Sequence, residues 1–307
     1  SIYGQIVKEP VGVVGIISPW NCPVLLLMRE LSPALAAGNA VIVKPATSTP
    51  LTTLEIFQCI AEMEEFPHGI VNVITGPGSL IGPAMSRSME RDLISFTGDT
   101  ETGRDVMKLS TANFKHLALE LGGKSPNIVF EDADLDKAIQ TIGDAAFISA
   151  GQMCFAGTRV IVQDTVKEQV IQGLKEYAEN LIVGNGLRED TDMGPLASKS
   201  QLNTVKKYAE IAKNEGTIIT GGYQLSGGEY DHGYFFAPTI VDDLPPDSRI
   251  VQEEIFGPIL AIQTFKTEKE AIELANNSIY GLAAGVWSQN VNVTTRVARA
   301  IKAGTVW

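Results

Sequence analysis

Residues 11–44, VGVVGIISPWNCPVLLLMRELSPALAAGNAVIVK, decide the fold class. The run at 11–17 is apolar and ends at Ser18-Pro19, which reads as a strand buried in a sheet. Residues 23–37 then carry a helical pattern, stopped by Gly38. Ala40–Lys44 is a second short apolar run. Strand, helix and strand in succession define a parallel pair joined by a crossover helix.

The rhythm continues along the chain. Residues 51–64 predict a helix with Leu51, Leu54 and Phe57 as its apolar spacing, and 70–75 a strand. The turn Gly76-Pro77-Gly78 leads into another helical stretch. Residues 93–96 predict a strand, Gly98 to Gly103 the opening of a helix, and His116–Glu120 a further strand. Gly122-Gly123 is the expected joint between two halves. Beyond it, strands at 127–130, 159–162, Ile259–Phe265 and 283–288 alternate with helices at 135–149, 166–180, 201–214, 269–276 and 291–301. Gly- and Pro-rich segments around 221–233 and 244–247 read as surface loops. This alternation implies parallel sheets with helices on both faces, whose ligands sit beyond the carboxyl ends of the strands. Asn21, Lys44, Gly78, Gly98 and Glu120 each end or follow a predicted strand.

Composition narrows the possible partners. A length of 307 residues fits about two domains at roughly 150 residues each. Apolar residues make up 44%, enough for a sizeable core. Acidic residues outnumber basic ones by 36 to 24, and the net charge of -12 opposes a phosphate backbone, so no nucleic-acid partner is expected. No apolar run reaches the roughly 18 residues that cross a bilayer, so no membrane partner is expected either. The 3 cysteines, Cys22, Cys59 and Cys154, are odd in number and widely spaced, which fits neither a disulfide framework nor a metal site. They suit a reducing compartment, and a cytoplasmic location is expected.

Three side chains stand out chemically. Cys154 follows Gly151-Gln152-Met153, just beyond a predicted helix, where a thiol can face a cleft and act as nucleophile. Alone it reads more readily as a small buried apolar residue. Glu120 ends a strand beside two glycines, where a carboxylate can activate water; alone, a salt-bridged surface Glu fits as well. Asn21 leaves the rigid Ser18-Pro19-Trp20 turn. Its amide can donate to an oxyanion, or it can cap the next helix. Gly76-x-Gly78-x-x-x-Gly82 is one residue longer than the dinucleotide fingerprint, and Gly98-x-x-x-x-Gly103 lacks the Lys-Ser/Thr of a nucleoside-triphosphate loop. Lys44 ends a buried strand and is a candidate for ribose or phosphate contact, or a strand-end lysine that snorkels. Cys59 falls in a helical run and reads as core.

Taken together, the segments resemble the aldehyde dehydrogenase superfamily, in its hydrolytic NAD(P)-dependent branch. The matching stretches are Pro19-Trp20-Asn21, Lys44-Pro45-Ala46 with Thr49-Pro50-Leu51, Phe96-Thr97-Gly98 through Gly103, Leu119 to Lys124, Gly151-Gln152-x-Cys154, Glu253 to Pro258, and Tyr280-Gly281-Leu282. They keep the family's order along the whole chain. The resemblance implies two doubly wound parallel α/β domains, a Rossmann-like cofactor domain plus a catalytic domain. Residues 1–9 would be part of an oligomerisation hairpin, 10–122 the NAD(P)-binding domain, and 123–307 the catalytic domain. A partial sequence lacking both ends is expected, from a protein that forms a homodimer or homotetramer at full length.

The resemblance also implies roles. Cys154 attacks the aldehyde, Asn21 and the Cys154 amide hold the oxyanion, and Glu120 activates the water that hydrolyses the thioester. NAD or NADP would be contacted by Trp20, Lys44, Thr47, Gly78, Gly82, Phe96, Asp99, Leu121, Gly122, Glu254 and Phe256, with Lys44 on the adenosine ribose and Glu254 on the nicotinamide ribose. No metal is implied. Thr47 stands where many NAD-preferring relatives carry Glu, so NADP is expected to be tolerated or preferred. Asp99 replaces a neutral hydroxyl beside the pyrophosphate. A CoA-acylating relative and a non-catalytic relative are the competing readings; Glu120 argues against the first, and the retained trio against the second. Cys22, Leu26 and Phe155 are candidates for the substrate channel.

Overall fold

A computed structural model describes residues 2–307. The chain divides into two compact units, the first ending at Leu121 and the second beginning at Gly122. The first contains β1 (Val13–Ile17), α1 (Pro23–Ala36), β2 (Ala40–Lys44), α2 (Leu51–Ala61), β3 (Val71–Val73), α3 (Gly78–Arg87), β4 (Leu93–Thr97), α4 (Thr100–Leu109) and β5 (His116–Glu120). Its sheet is parallel throughout, in the order β3-β2-β1-β4-β5.

Strand alternation builds the two layers of this unit. Val14, Ile16, Val41 and Val43 pack against Leu27 and Leu31 of α1 and Ile56 of α2. Ile17, Ile94 and Phe96 point to the opposite face, against Met85 of α3 and Val106 of α4. Neighbouring residues of one strand therefore enter different cores, which makes the strands continuously apolar. The chain runs outward from β1 on one side and from β4 on the other. Their junction is a topological switch point, where the crossover loops part and leave a crevice.

The second unit contains β6 (Pro126–Val129), α5 (Leu135–Phe147), β7 (Arg159–Gln163), α6 (Lys167–Asn180), α7 (Lys199–Glu215), β8 (Thr217–Thr220), β9 (Thr239–Asp242), α8 (Arg249–Gln252), β10 (Ile259–Phe265), α9 (Glu268–Asn276), β11 (Ala283–Trp287), α10 (Val291–Ala300) and β12 (Thr305–Val306). The strand order is β12-β11-β6-β7-β10-β9-β8. Every neighbouring pair is parallel except β8 with β9, which is antiparallel and carries a register shift between Ile218 and Thr220. Val129, Val160 and Val162 pack with Ile142 of α5, Leu174 of α6 and Val205 of α7. Ile128, Ile161 and Phe265 face α9 and α10 through Ala271, Ala275 and Val297.

Arg159 ties two of these layers together. Its side chain is 1% exposed. Nε donates to the Lys124 carbonyl at 2.8 Å, Nη1 to Leu274 at 3.2 Å and Nη2 to Ala275 at 3.0 Å. The last two are carbonyls in the final turn of α9, where the helix leaves acceptors short of partners; Leu274 also accepts from the Asn277 amide at 3.2 Å. Burial lowers the guanidinium pKa to about 10, so it stays charged at neutral pH.

The structure revises several expectations. The helix expected at 51–64 ends at Ala61, and its inward face is Thr53, Ile56, Phe57 and Ile60, while Leu51 and Leu54 are exposed. That set follows the i, i+3, i+4, i+7 spacing of one helical face. Cys59, expected in the core, lies exposed on the outer side of α2. The strand expected at 70–75 contracts to β3. The helix expected at 135–149 stops at Phe147, before a turn with left-handed residues. β8, β9 and β12 were not anticipated. Residues 2–11 carry no regular secondary structure. Ser1, the first residue of the expected hairpin segment, lies outside the described residues.

Leu27 of α1 is fully buried between β1 and β2, whereas Leu25 of the same helix is exposed. Leu27→Ala should destabilise the protein by about 2–5 kcal/mol through lost transfer energy and a residual cavity. Leu25→Ala should stay within about 0.5 kcal/mol of wild type. Urea unfolding followed by circular dichroism measures both, and equal midpoints would contradict the packing described.

Candidate active site

In the first unit, parallel register brings the strand ends level. Ile17 pairs with both Lys44 and Phe96, and Thr97 pairs with Glu120. The residues just beyond therefore share one edge: Trp20 and Asn21 after β1, Thr47 after β2, Asp99 after β4, and Glu120 at the end of β5. The sequence placed them there because each short apolar run ends at a Pro, Gly or polar residue.

Lys44 is buried, and its Nζ donates to the Pro45 carbonyl at 2.7 Å. Burial lowers its pKa from the usual lysine range. A Cβ added at Gly78 would lie 3.8 Å from this Nζ, so the ammonium stands beside the start of α3. Thr47 Oγ1 donates to the Gly76 carbonyl at 3.1 Å, fastening the loop after β2 to the glycine turn. Gly82 has no atom within 4 Å of where a Cβ would sit, leaving open space above α3. Phe96 is buried in the core beneath Gly98, and Leu121 packs against Gly103.

Asp99 gains a physical account that the sequence did not supply. It is the N-cap of α4: its carboxylate accepts from the Thr102 amide at 2.9 Å and from the Thr102 hydroxyl at 2.6 Å. A carboxylate satisfies an orphan helix amide there and complements the positive end of the helix dipole.

Glu120 is half-exposed at its strand end. Its Oε1 lies 3.8 Å from Arg29 Nη2 on α1. Arg29 Nε also meets Glu30 Oε1 at 3.2 Å, and Glu30 Oε2 accepts from the buried Ser95 hydroxyl at 2.8 Å. Arg29 carried no signal in the sequence as a neighbour of Glu120, because the two are far apart along the chain and meet only through sheet order. Cys22, also in this unit, is half-buried with its thiol pKa raised by burial, and Leu26 is buried in α1.

In the second unit, Cys154 is a half-buried thiol just past a short helical turn, Ile148–Gly151. Ser149, Ala150 and Gly151 have φ values of 50°, 55° and 70°. Left-handed backbone at two non-glycine residues costs of order 1–3 kcal/mol each and persists only when the surroundings enforce it. A Cβ at Gly151 would overlap the Gly257 carbonyl, so this turn is pressed against the backbone before Pro258. Gln152 is buried and acts as a clamp: its Nε2 donates to Ser149 at 2.8 Å, and its Oε1 accepts from the Ala197 amide at 2.9 Å. The motif containing Gln152 was legible, but not its role.

Gly122 and Gly123 complete this cluster. A side chain at Gly122 would overlap the Glu254 carboxylate, and one at Gly123 the Cys154 carbonyl. The Gly123 amide donates to Glu254 Oε1 at 3.2 Å, and the Glu254 amide donates to Tyr280 Oη at 3.4 Å. Phe256 adopts φ 55°, and its carbonyl accepts from Gln201 Nε2 at 2.7 Å. Phe155 lies edge-on to Trp307, with ring centroids 6.3 Å apart. Of the expected site residues, the structure thus gathers Cys154, Gly122, Glu254 and Phe256 in the second unit, while Asn21 and Glu120 belong to the first. Among the described residues, no His, Cys, Asp and Glu group could hold a metal ion, and no helix is long and apolar enough to cross a membrane.

Comparison with known proteins agrees with this arrangement of sheets and loops. Residues 2–307 match the model of the aldehyde dehydrogenase family. The chain belongs to that family. It is 45% identical to the betaine aldehyde dehydrogenase of Bacillus subtilis over 304 residues, covering 99% of this chain and 62% of that protein. Aldehyde dehydrogenase B of Escherichia coli is 44% identical over 307 residues, covering 97% and 59%. A crystal structure of betaine aldehyde dehydrogenase from Staphylococcus aureus, in complex with NAD+, superimposes with a TM-score of 0.96 at 45% identity, covering 98% of this chain and 60% of that one. The chain therefore spans about three-fifths of the length of these relatives.

Gln152→Ala removes two hydrogen bonds from the turn before Cys154. Each is worth about 0.5–1.5 kcal/mol, so the turn should open more often while the fold persists. Hydrogen exchange at the Ala197 amide should accelerate, and alkylation of Cys154 by iodoacetamide should change in rate. Wild-type values for both would remove Gln152 from the clamp.

Proposed function

We propose that the protein is an NAD(P)-dependent aldehyde dehydrogenase that oxidises an aldehyde to a carboxylic acid with water as the acyl acceptor. The observation that carries this reading is the enforced left-handed turn delivering Cys154 beside Gly123, in a chain that belongs to this family. The first unit fits a dinucleotide. It offers a buried ammonium, Lys44, beside the start of α3, and open space over Gly82 at the carboxyl edge of a doubly wound sheet. Bound NAD(P)+ would supply the hydride acceptor.

The remaining steps belong to side chains. Cys154 as thiolate attacks the aldehyde carbon and forms a thiohemiacetal. Asn21 and the Cys154 amide donate to its oxyanion, and one such donor is typically worth about 100- to 1000-fold in rate. Loss of hydride leaves a thioester on Cys154. Glu120 takes a proton from water, which adds to the thioester and expels the thiolate; a positioned base contributes about 100- to 10,000-fold. Lys44 and Thr47 would face the adenosine ribose, Trp20 and Gly78 would line its approach, and Glu254 would hold the nicotinamide ribose, with Phe256 beside it. Asp99 first serves α4 as its cap. The reading extends to a cytoplasmic homo-oligomer, supported by a cysteine content that suits a reducing compartment.

Glu120→Gln should block thioester hydrolysis, giving a burst of reduced cofactor followed by turnover lowered at least about 100-fold. Cys154→Ala should abolish both burst and turnover. Stopped-flow absorbance with a panel of aliphatic, aromatic and semialdehyde substrates tests this, and undiminished steady-state turnover in either variant would refute it. Full activity that requires CoA would refute water as the acceptor.

Thr47 offers no carboxylate to repel a 2′-phosphate, so NADP+ should be used at a kcat/KM comparable to that of NAD+. Thr47→Glu should cut the NADP+ value at least about tenfold relative to NAD+, a like-charge cost near 1.4 kcal/mol. A ratio unmoved by the substitution would take position 47 out of the ribose site.

A further inference from the structure

Helix α7 presents one stripe of side chains to a single stretch of chain. Gln201, Val205, Tyr208 and Glu215 stand at i, i+4, i+7 and i+14, the spacing of one helical face. Their partners all lie in residues 248–257. Gln201 Nε2 donates to the Ile255 carbonyl at 3.1 Å and to the Phe256 carbonyl at 2.7 Å. Val205 fills the space that a Cβ would take at Gly257. Tyr208 Oη donates to Glu253 Oε2 at 2.5 Å. Glu215 Oε2 accepts from the Ser248 hydroxyl at 2.6 Å and from the Arg249 amide at 2.9 Å.

Within this stripe, Tyr208 touches a carboxylate that the reaction above does not use. Arg249 Nε and Nη2 also reach Glu253, at 2.9 and 2.8 Å, and the guanidinium lies 5.6 Å over the Tyr208 ring. The Arg249 bonds stay within the α8 segment, whereas the Tyr208 bond crosses to α7. Arg249, and after it the Tyr208 hydroxyl, holds the Glu253 pKa down to about 2, so the cluster is ionised at neutral pH. Glu253 has extended backbone, φ -103° and ψ 143°. Successive side chains on extended backbone point to opposite sides. With Glu253 facing α7, Glu254 therefore turns away from it, and Glu254 Oε1 accepts from the Gly123 amide at 3.2 Å.

We propose that Tyr208 is a positioning residue for Glu254: its hydroxyl holds Glu253 on α7, and so fixes where the next carboxylate along the chain stands against Gly123. Gln201 secures the far side of Glu254 through the carbonyls of Ile255 and Phe256. The segment is thus pinned before and after Glu254 by one rigid helix. Without the Tyr208 hydroxyl, Glu253 keeps Arg249, but the two can shift together because both belong to the segment being held. A hydrogen bond to an ionised acceptor is about twice as strong as a neutral one, which suits it to this task. For cofactor binding, the role rests on the reading that Glu254 holds the nicotinamide ribose.

The test compares the whole chain with Tyr208→Phe, which keeps the ring beneath Arg249 and removes only the hydroxyl. Without cofactor, hydrogen exchange at the Gly123 and Glu254 amides should accelerate about tenfold relative to the Val160 amide in β7, as loss of a hydrogen bond to a charged group predicts. Glu253→Gln should act in the same direction, and adding Tyr208→Phe to it should change little further. Equal acceleration at all three amides would mean lost global stability alone and would overturn the proposal, as would wild-type rates at Gly123 and Glu254. With NAD+ added, the Kd from fluorescence titration should rise several-fold in Tyr208→Phe. In turnover the change should fall on KM for the cofactor more than on kcat. An unchanged Kd also overturns the proposal. A wild type that binds neither NAD+ nor NADP+ would instead refute the cofactor reading, and the amide comparison then decides the role of Tyr208 by itself.

Discussion

Two backbone positions without side chains govern the second unit. At Gly122 the Glu254 carboxylate occupies the space a Cβ would need, and at Gly123 the Cys154 carbonyl does. A close-packed interior leaves no room to absorb a methyl group against the Cys154 backbone at Gly123, whereas at Gly122 the Glu254 side chain would have to swing aside. The contact joins three segments distant in sequence: the chain entering β6, the turn after α5 and the loop after α8. Moving any one by an ångström would move the thiol or the carboxylate. The remaining anchors, Gln152 on Ala197 and Gln201 on Phe256, hold those segments against the same point from outside. The sheet supplies the rigid frame, and the glycine pair sets the distances on it.

The strain around Cys154 follows from the same constraint. Ser149 and Ala150 are left-handed without the freedom of glycine. An ordinary helix end would carry the chain along the α5 axis. Three successive left-handed residues turn it sharply, and the Cys154 carbonyl then meets Gly123. Such strain is stable only in a rigid surround, and the buried Gln152 side chain supplies part of it.

What the sequence revealed depended on how local the cause was. The parallel strands β1, β2 and β4 were legible because burial on both faces makes them largely apolar and Pro or Gly closely follows them, whereas β5, at the sheet edge, shows only the alternation of Leu117 and Leu119 with more exposed neighbours. The face of α2 was misjudged because its residues at 51 and 54 are apolar but exposed, and single exposed leucines are common on protein surfaces. β9 is a fully buried strand of four residues, too short for a period to register, and β8 reverses direction, which no alternation of strand and helix predicts. Within the site, motifs drew attention to Cys154, Glu120 and Asp99. They did not disclose that Asp99 caps its own helix, that Gln152 is a clamp, or that Arg29 stands beside Glu120. Those are tertiary facts, created by strand order and by the path of loops.

The reversed strand β8 has a consequence for self-association. A sheet margin with free backbone donors and acceptors invites a neighbouring molecule to add a strand, the usual route to aggregates. Here that margin is four residues long and interrupted by an irregularity between Ile218 and Thr220. So short and uneven a border offers poor purchase for templated β-growth on that side of the molecule.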